Sequence, residues 1–326
     1  MHDETRDGWL SVYLFFEGWI YARECDRVVM EVVEPFVARA RAAGWADGHF
    51  FIRYSERGPH VRLRFRGEAA VLDGTLWPAL VEHVRAGSPG VDIDAVPETP
   101  VFKREDDAPP VRVTHLARVA YEPETERYGG PHALPVAERL FADSSDAAYA
   151  LLRNLGGERS SRLGKGLLAM VVLLHGFVRD REHGSSFAHM YSTNYLRSVA
   201  REDEGREAYL GAFDQGYEQQ AETLGEYVDE VWSRMDEGEP LSEALDAWAA
   251  ALRARRAELR AVCDAAAVEV MGEATDDWNR VVGAILPSYV HMMNNRLGIT
   301  IQEESYLGYL IHRALGRPAG AAAHVS

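Results

Sequence analysis

The first 131 residues alternate short apolar runs with segments of helical periodicity. An apolar, β-rich run such as WLSVYLFF is typical of a strand, whereas apolar residues spaced three and four apart predict an amphipathic helix. The Gly58-Pro59 turn predicts that the strands on either side of it form a hairpin. The predicted strands are 9–16, 49–55, 60–66 and 111–121, the predicted helices are 25–44 and 70–87, and 91–110 is predicted to be an exposed loop.

The pattern becomes almost entirely helical after residue 131. The predicted helices are 132–155, 161–178, 186–199, 205–235, 241–269, 275–294 and 302–315, with a polar loop over 179–186. The fold class is therefore α+β, with an N-terminal antiparallel sheet and flanking helices followed by a mostly helical C-terminal portion. We predict one domain over 1–326, in which 1–131 is the α+β sub-region and 132–326 is mainly helical.

Three arginines alternate with apolar residues in the predicted strand 60–66. Side chains two residues apart share one face of a strand, so Arg62, Arg64 and Arg66 project together while the apolar residues enter the core. Neighbouring guanidinium groups repel one another unless anions lie opposite, either protein carboxylates or a ligand carboxylate. The alternative is the solvated outer face of an edge strand. Arg66, nearest the strand end, fits that surface role best of the three.

The overall charge makes this cationic strand unusual. The formal net charge is −16 and the pI is about 5.2, which argues against a general binder of nucleic acid or of an anionic membrane. Two distant cysteines, Cys25 and Cys263, predict reduced thiols. The longest apolar stretch, 167–174, is too short to cross a bilayer. These features predict a soluble cytoplasmic protein.

Two further clusters contain residues suited to chemistry. In ETERYGG, Glu124 and Arg127 are three residues apart and precede a double glycine that permits a tight turn, although an ordinary turn has the same composition. His291 lies in the helical run SYVHMMNNRLG, where a lone histidine is more often structural. The histidines lack metal-ligand spacing, and SRLGKG lacks the Ser or Thr of a phosphate loop, so we expect no metal and no cofactor.

Three stretches, taken in order, resemble the C-terminal domain of lantibiotic dehydratases, which also occurs as stand-alone proteins of thiopeptide biosynthesis. They are FFIRYSERGPHVRLRF, YEPETERYGGPHALPVAERLFADSS and HMMNNRLG. The resemblance touches the front, middle and back of the chain. The segment between about 200 and 275 has no motif that matches.

The resemblance implies a lyase reaction on a ribosomally made precursor peptide. A separate glutamylating enzyme that uses glutamyl-tRNA first esterifies Ser or Thr, and the C-terminal-type domain then eliminates glutamate to give dehydroalanine or dehydrobutyrine. The family's functional arginines fall on Arg62 and Arg64 as substrate-binding residues. Its catalytic residues fall on Glu124, Arg127 and His291. The resemblance implies no cofactor, no direct binding of nucleic acid and no membrane association. A homodimer is one possible oligomeric state.

Each of these residue types suits β-elimination. Arg62 and Arg64 would hold the negative charge of the departing glutamate, and Arg127, kept in place by Glu124, would face the developing enolate or the leaving oxygen. His291 would be the proton acceptor or donor, because an ordinary histidine pKa lies near ~6.5.

Two alternatives compete with elimination. Some stand-alone members of the same family are pyridine synthases, which join two dehydroalanines in a formal [4+2] aza-cycloaddition and release the leader peptide. The other is a non-catalytic protein that binds the precursor peptide or the glutamylating enzyme. Retention of all five family positions favours elimination over both.

Overall fold

The computed structural model describes residues 7–98, 112–155 and 158–317. The chain forms two compact units, which are treated separately. The sheet unit comprises Met1–Glu124 and Phe141–Asn154, and the helical unit comprises Thr125–Leu140 and Leu155–Ser326. The division falls inside one long helix, Gly130–Arg153. The assignment of the whole chain to a single domain stays a prediction.

Five strands form the sheet of the first unit. In chain order they are β1 (Asp7–Phe16), β2 (Gly48–Tyr54), β3 (His60–Glu68), β4 (Asp92–Ile93) and β5 (Val113–Arg118). Their order in the sheet is β2-β3-β1-β5-β4, and every pairing is antiparallel except β4 with β5. The four predicted strands and the β2–β3 hairpin are confirmed. The short β4 lies in the stretch that was predicted to be a loop, most of which falls outside the described residues.

Two helical segments cover one face of this sheet. They are Arg23–Ala42, made of α1 (Arg23–Arg27), a π-helical stretch (Val28–Val33) and α2 (Glu34–Ala42), and Ala69–Gly87, made of α3 (Ala69–Val71), a second π-helical stretch (Leu72–Leu76) and α4 (Trp77–Gly87). Phe36 of α2 packs against Phe65 of β3 with ring centroids 5.8 Å apart. Val61, Leu63 and Phe65 are all buried, as their alternation with arginine predicts.

The outer edge of β2 is covered by the second part of the helix α5 (Gly130–Arg153). The Phe51 backbone N–H donates to Ser145 Oγ over 3.2 Å, and this hydroxyl donates in turn to the Phe141 carbonyl over 2.8 Å. The Tyr149 ring stacks on Phe51 with centroids 5.1 Å apart. An exposed strand edge is a template for unwanted pairing, and these contacts remove it.

The second unit consists mostly of helices. They are α6 (Arg159–Phe177), α7 (Arg181–Val199), α8 (Asp203–Glu218), α9 (Ala221–Glu237), α10 (Glu243–Asp264), α11 (Trp278–Leu297) and α12 (Ile301–Leu315), together with the first part of α5, a 3₁₀ turn (Glu126–Tyr128) and a hairpin of β6 (Val268–Val270) and β7 (Glu273–Thr275). The α+β class and the mostly helical second part are confirmed.

Three predicted boundaries in this unit are wrong. The predicted helix 205–235 is two helices, because Gln220 leaves the helical conformation with φ −136° and ψ 9°. Helix 241–269 ends at Asp264, since Ala266 adopts a left-handed conformation (φ 51°) and the chain continues into the β6–β7 hairpin. The loop 179–186 is mostly helix, because Asp180 accepts a hydrogen bond from the His183 backbone N–H and caps α7.

Cys25 and Cys263 are both buried and free of disulfides. Within the described ranges, no helix combines the length and the apolar character that crossing a membrane requires.

The Ser145 hydroxyl gives a test of how the β2 edge is stabilised. We expect Ser145→Ala to lower the free energy of unfolding by about 1–3 kcal/mol, because it leaves the buried Phe51 N–H without its acceptor. Ser144→Ala is the matched control, since the Ser144 hydroxyl donates to the Phe141 carbonyl of its own helix. Urea unfolding of both variants measures the difference, and equal losses would contradict this account.

Candidate functional site

The arginines of β3 lie on the sheet face opposite the apolar core residues. β3 is flanked by β1 and β2, so the edge-strand alternative is wrong. The guanidinium carbon of Arg62 lies 3.5 Å from the ring centroid of Tyr54 and 4.7 Å from that of Tyr13. Aromatic rings on two neighbouring strands therefore hold this cation by cation–π contact. Its ion pair with Glu56, over 3.3 Å, involves a mostly exposed carboxylate.

His60 shares this face and fixes the position of Arg62. Its Nδ1 lies 2.8 Å from the Gly58 carbonyl, which only accepts, so Nδ1 carries the proton. Nε2 is then free to accept the Arg62 Nε–H over 3.2 Å. His60 is 1% exposed, and burial, together with the charge of Arg62, lowers its pKa to about 4. The imidazole therefore stays neutral near pH 7 and serves as a hydrogen-bond acceptor.

Arg64 is the most deeply buried of the three β3 arginines. It is 8% exposed, and its guanidinium carbon lies 4.8 Å from the ring centroid of Tyr121 and 5.1 Å from that of Phe50. Its Nε, like the hydroxyl of its cross-strand neighbour Ser11, has no hydrogen-bond partner among the described residues. Burial lowers the pKa of Arg64, and the carboxylate of Glu124 acts in the opposite direction. A buried guanidinium with unused donors is suited to bind an anionic group.

Arg66 differs from its two neighbours. Its Nε donates to Asp47 Oδ1 over 2.9 Å, and both side chains are substantially exposed. Arg66 is thus a surface ion-pair residue, as its position near the strand end predicts.

The double glycine shapes the turn that places Arg127 in the helical unit. Gly129 and Gly130 have φ of 90° and 84°, and a Cβ at Gly129 would lie 2.8 Å from Ile285 Cδ1. Both conformation and space therefore require glycine. Arg127 Nε donates to Ser288 Oγ of α11 over 2.9 Å.

Tyr128 fastens the same turn to α11. It is buried and stacks on Tyr289, with ring centroids 5.9 Å apart. Glu124 is exposed and belongs to the sheet unit, whereas Arg127 belongs to the helical unit. The ion pair between the two stays a prediction.

His291 is oriented by a buried carboxylate. Its Nδ1 lies 3.0 Å and 3.2 Å from the two oxygens of Glu304, which α12 holds fully buried. The Tyr191 hydroxyl donates to the same carboxylate. Burial raises the pKa of Glu304, while the hydrogen bonds from His291 and Tyr191 oppose that rise. The carboxylate therefore fixes the Nδ1 side of the imidazole ring and leaves Nε2 outside this hydrogen bond.

The structure brings Arg127 and His291 into one cluster. Ser288, which accepts the Arg127 hydrogen bond, lies three residues before His291 on the same face of α11. Tyr195 interacts with both Arg127 and His291. Its ring centroid lies 5.6 Å from that of His291. Burial raises the pKa of Tyr195, and the charge of Arg127 opposes that rise. We call Arg127, Ser288, His291 and Glu304, with Tyr191 and Tyr195, the imidazole cluster.

Sequence reasoning missed Glu304, Tyr191 and Tyr195. No local spacing connects them with His291, since they lie on α12 and α7. The one usable sequence feature was the TxxE capping box at Thr300 and Glu303, which marks the start of α12. Among the described residues, no group of three or more His, Cys, Asp or Glu side chains is arranged to hold a metal ion.

A known protein family matches most of the chain. The family described as lantibiotic biosynthesis dehydratase C-term matches residues 9–315. Subtilin biosynthesis protein SpaB of Bacillus subtilis is 26% identical over 205 residues, covering 60% of this chain and 18% of SpaB.

Solved structures share the fold. TbtD, a pyridine synthase from thiomuracin biosynthesis, has a TM-score of 0.69 and 20% identity, covering 94% of this chain and 97% of TbtD. TsrL has a TM-score of 0.65 and 19% identity, covering 95% of this chain and 94% of TsrL. MibB, a tRNA-dependent lantibiotic dehydratase from Microbispora sp. 107891, has a TM-score of 0.60 and 22% identity, covering 96% of this chain and 28% of MibB.

The molecule is thus an α+β protein of lantibiotic-dehydratase type. The chain belongs to the lantibiotic biosynthesis dehydratase C-terminal family, as its three motif stretches predict. It spans about a fifth of SpaB and just over a quarter of MibB.

The lowered pKa of His60 predicts a pH-dependent stability. The unfolded chain binds a proton at His60 below about pH 6.5, whereas the folded protein does so only below about pH 4. Between these values the unfolded state binds more protons, so stability is lost as the pH falls, by about 3 kcal/mol in total for this residue.

Urea unfolding from pH 7 to pH 4 tests this expectation. We expect His60→Asn to flatten the decline relative to the unchanged protein. His132→Asn is the control, because His132 is exposed. An unchanged slope in the His60 variant would show that the imidazole titrates normally in the folded state.

Proposed function

We propose that this protein eliminates glutamate from glutamylated Ser or Thr residues of a ribosomally synthesised precursor peptide, giving dehydroalanine or dehydrobutyrine. In this proposal a separate glutamyl-tRNA-dependent enzyme supplies the ester, and the whole chain acts as one elimination domain in the cytoplasm. The observation that supports it most is the imidazole cluster, in which an oriented histidine and an arginine are fixed to one face of α11.

The reaction needs a base for the Cα proton. With Nδ1 bonded to Glu304, the Nε2 of His291 would accept that proton, and the carboxylate would stabilise the imidazolium that forms. The electron pair of the Cα–H bond becomes the Cα–Cβ double bond, and the Cβ–O bond breaks to release glutamate. The burial of Glu304 strengthens its electrostatic effect on the ring.

The reaction also develops negative charge in two places. Arg127 would stabilise charge on the amide oxygen next to Cα, since a fixed cation favours an enolate-like transition state. Arg62 and Arg64 would bind the glutamyl group, whose free carboxylate is joined by a second one on departure. The unused donors of the buried Arg64 suit this role, and the contacts of Arg62 with Tyr13, Tyr54 and His60 fix its direction. Glu124 would orient Arg127.

Variants of the two groups test elimination directly. We expect His291→Asn and Arg64→Gln each to slow loss of glutamate by at least ~100-fold, because the first removes the base and the second a charge-assisted contact to the leaving group. Mass spectrometry of a synthetic glutamylated peptide should then show the intact ester accumulating. Glu304→Gln, which keeps the shape but not the charge, should lower kcat with less effect on KM.

Matched controls separate these losses from unfolding. His189→Asn and Arg66→Gln alter an exposed histidine and a surface ion pair, so both should eliminate glutamate at the unchanged rate. Normal elimination by His291→Asn would contradict the assignment of the base. Absence of any turnover by the purified, folded protein would contradict the proposed reaction.

Pyridine synthesis is the second candidate. It is favoured by the fold that the chain shares with TbtD, which is described as a pyridine synthase from thiomuracin biosynthesis. Incubation with an already dehydrated peptide distinguishes the two reactions. A macrocycle with released leader peptide would establish the synthase, and an unchanged peptide together with turnover of the glutamylated one would establish elimination.

A further inference from the structure

The helical unit contains a cavity whose lining residues lie outside the imidazole cluster. It has a volume of about 460 Å³ and lies between the end of α6, the start of α7, α10 and the first turns of α11. Its walls are largely apolar, and Phe177, Phe187 and Val282 contribute to them. This volume lies within the range of about 300–1,000 Å³ that is common for ligand pockets.

Cations and an indole form the rim of this cavity. The guanidinium carbons of Arg256 and Arg260 lie 5.3 Å and 5.4 Å from the ring centroid of Trp278. Arg256 Nε donates to the Phe177 carbonyl over 3.2 Å, and both residues line the cavity. Burial and the nearby charges of Arg179 and Arg260 lower the pKa of Arg256, so like charges are crowded at this point.

Three acidic residues close in sequence to the cavity lining have partners of their own. Asp264 pairs with Arg260 over 2.7 Å. Asp180 accepts from His183 and caps α7, while Asp277 caps α11. In the described part of the chain, Arg179 and Arg256 have no carboxylate partner. Two uncompensated cations beside an apolar cavity are unexpected in a protein with a net charge of −16.

We propose that this cavity is a docking site for an acidic segment of a peptide, with an apolar side chain inside the cavity and a neighbouring carboxylate on Arg256 and Arg179. Guanidinium groups bind carboxylates bidentately, and apolar walls add affinity that a small anion cannot use. The inference rests on the proposed function in one respect, since it takes the docked peptide to be part of the substrate.

The cavity lies at a distance from His291 that suits peptide docking and not catalysis. Gly283 lines the cavity on the same helix as His291 and precedes it by eight residues. At 1.5 Å per residue this spacing corresponds to ~12 Å along α11. A peptide held here would contact the protein a few residues away from a residue that reacts at His291. Two isolated cations are too few for a general nucleic-acid surface.

A cavity-filling variant gives the sharpest test. A Cβ at the exposed Gly283 would meet no atom within 4 Å, so Gly283→Leu adds a side chain at the cavity without a clash and improves helix propensity. Arg256→Gln removes the central cation instead. Arg253→Gln is the matched control, because Arg253 is an exposed arginine one turn earlier on α10 and does not line the cavity.

The probe is a synthetic peptide in which leucine and aspartate alternate, titrated by calorimetry and by tryptophan fluorescence with Trp278→Phe as the reference. We expect Arg256→Gln and Gly283→Leu to weaken binding at least ~10-fold, and Arg253→Gln to leave it unchanged. The same peptide with asparagine in place of aspartate should bind at least ~10-fold more weakly. Circular dichroism confirms that the variants are folded.

Three results would overturn the inference: equal binding by Gly283→Leu, equal binding of the asparagine peptide, or full competition by inorganic phosphate at equimolar concentration. Binding is measured without turnover, so it is independent of the elimination assay. A His291→Asn protein that binds the acidic peptide normally but fails to eliminate glutamate would support both assignments separately. If the unchanged protein fails to bind the acidic peptide but eliminates glutamate normally from a short glutamylated peptide, the docking inference is wrong and the proposed function is unaffected.

Discussion

The two-residue side-chain period of β3 is the constraint on which the sheet unit depends. It commits Val61, Leu63 and Phe65 to the core and, by the same geometry, commits the arginines to the opposite face. A one-residue slip would exchange the two sets and bury cations under the helices, so the register is strongly specified. The cationic face is therefore a direct consequence of how the core is built, and the flanking strands β1 and β2 supply aromatic contacts to it.

The helical unit depends on the stabilisation of a buried carboxylate. A buried carboxylate is costly unless it is hydrogen-bonded, and Glu304 accepts bonds from both His291 and Tyr191. The hydrogen bond between His291 and Glu304 stabilises the buried carboxylate and also fixes the imidazole ring. The same contact therefore serves both the stability of Glu304 and the orientation of His291. The Gly129–Gly130 turn brings Arg127 into contact with α11, so a guanidinium and an oriented imidazole are both fixed to this helix.

Membership of the lantibiotic dehydratase C-terminal family narrows the chemistry without choosing the reaction. TbtD and MibB share this fold at 20% and 22% identity, although one is described as a pyridine synthase and the other as a dehydratase. Fold alone does not determine function, so the proposal of elimination depends on the individual side chains. The buried Arg64 with unused donors and the oriented His291 favour a reaction that releases an anion and moves a proton.

The sequence alone determined the α+β class, the four main strands, the interpretation of 60–66 as half core and half cationic face, and a turn at the double glycine after Arg127. These follow from short-range periods and local backbone geometry, which neighbouring residues encode. Only the tertiary structure decided that β3 is an interior strand, that His60 holds Arg62 as a neutral acceptor, and that Glu304 orients His291. Those features depend on strand order and on contacts between helices far apart in sequence, which no local pattern records.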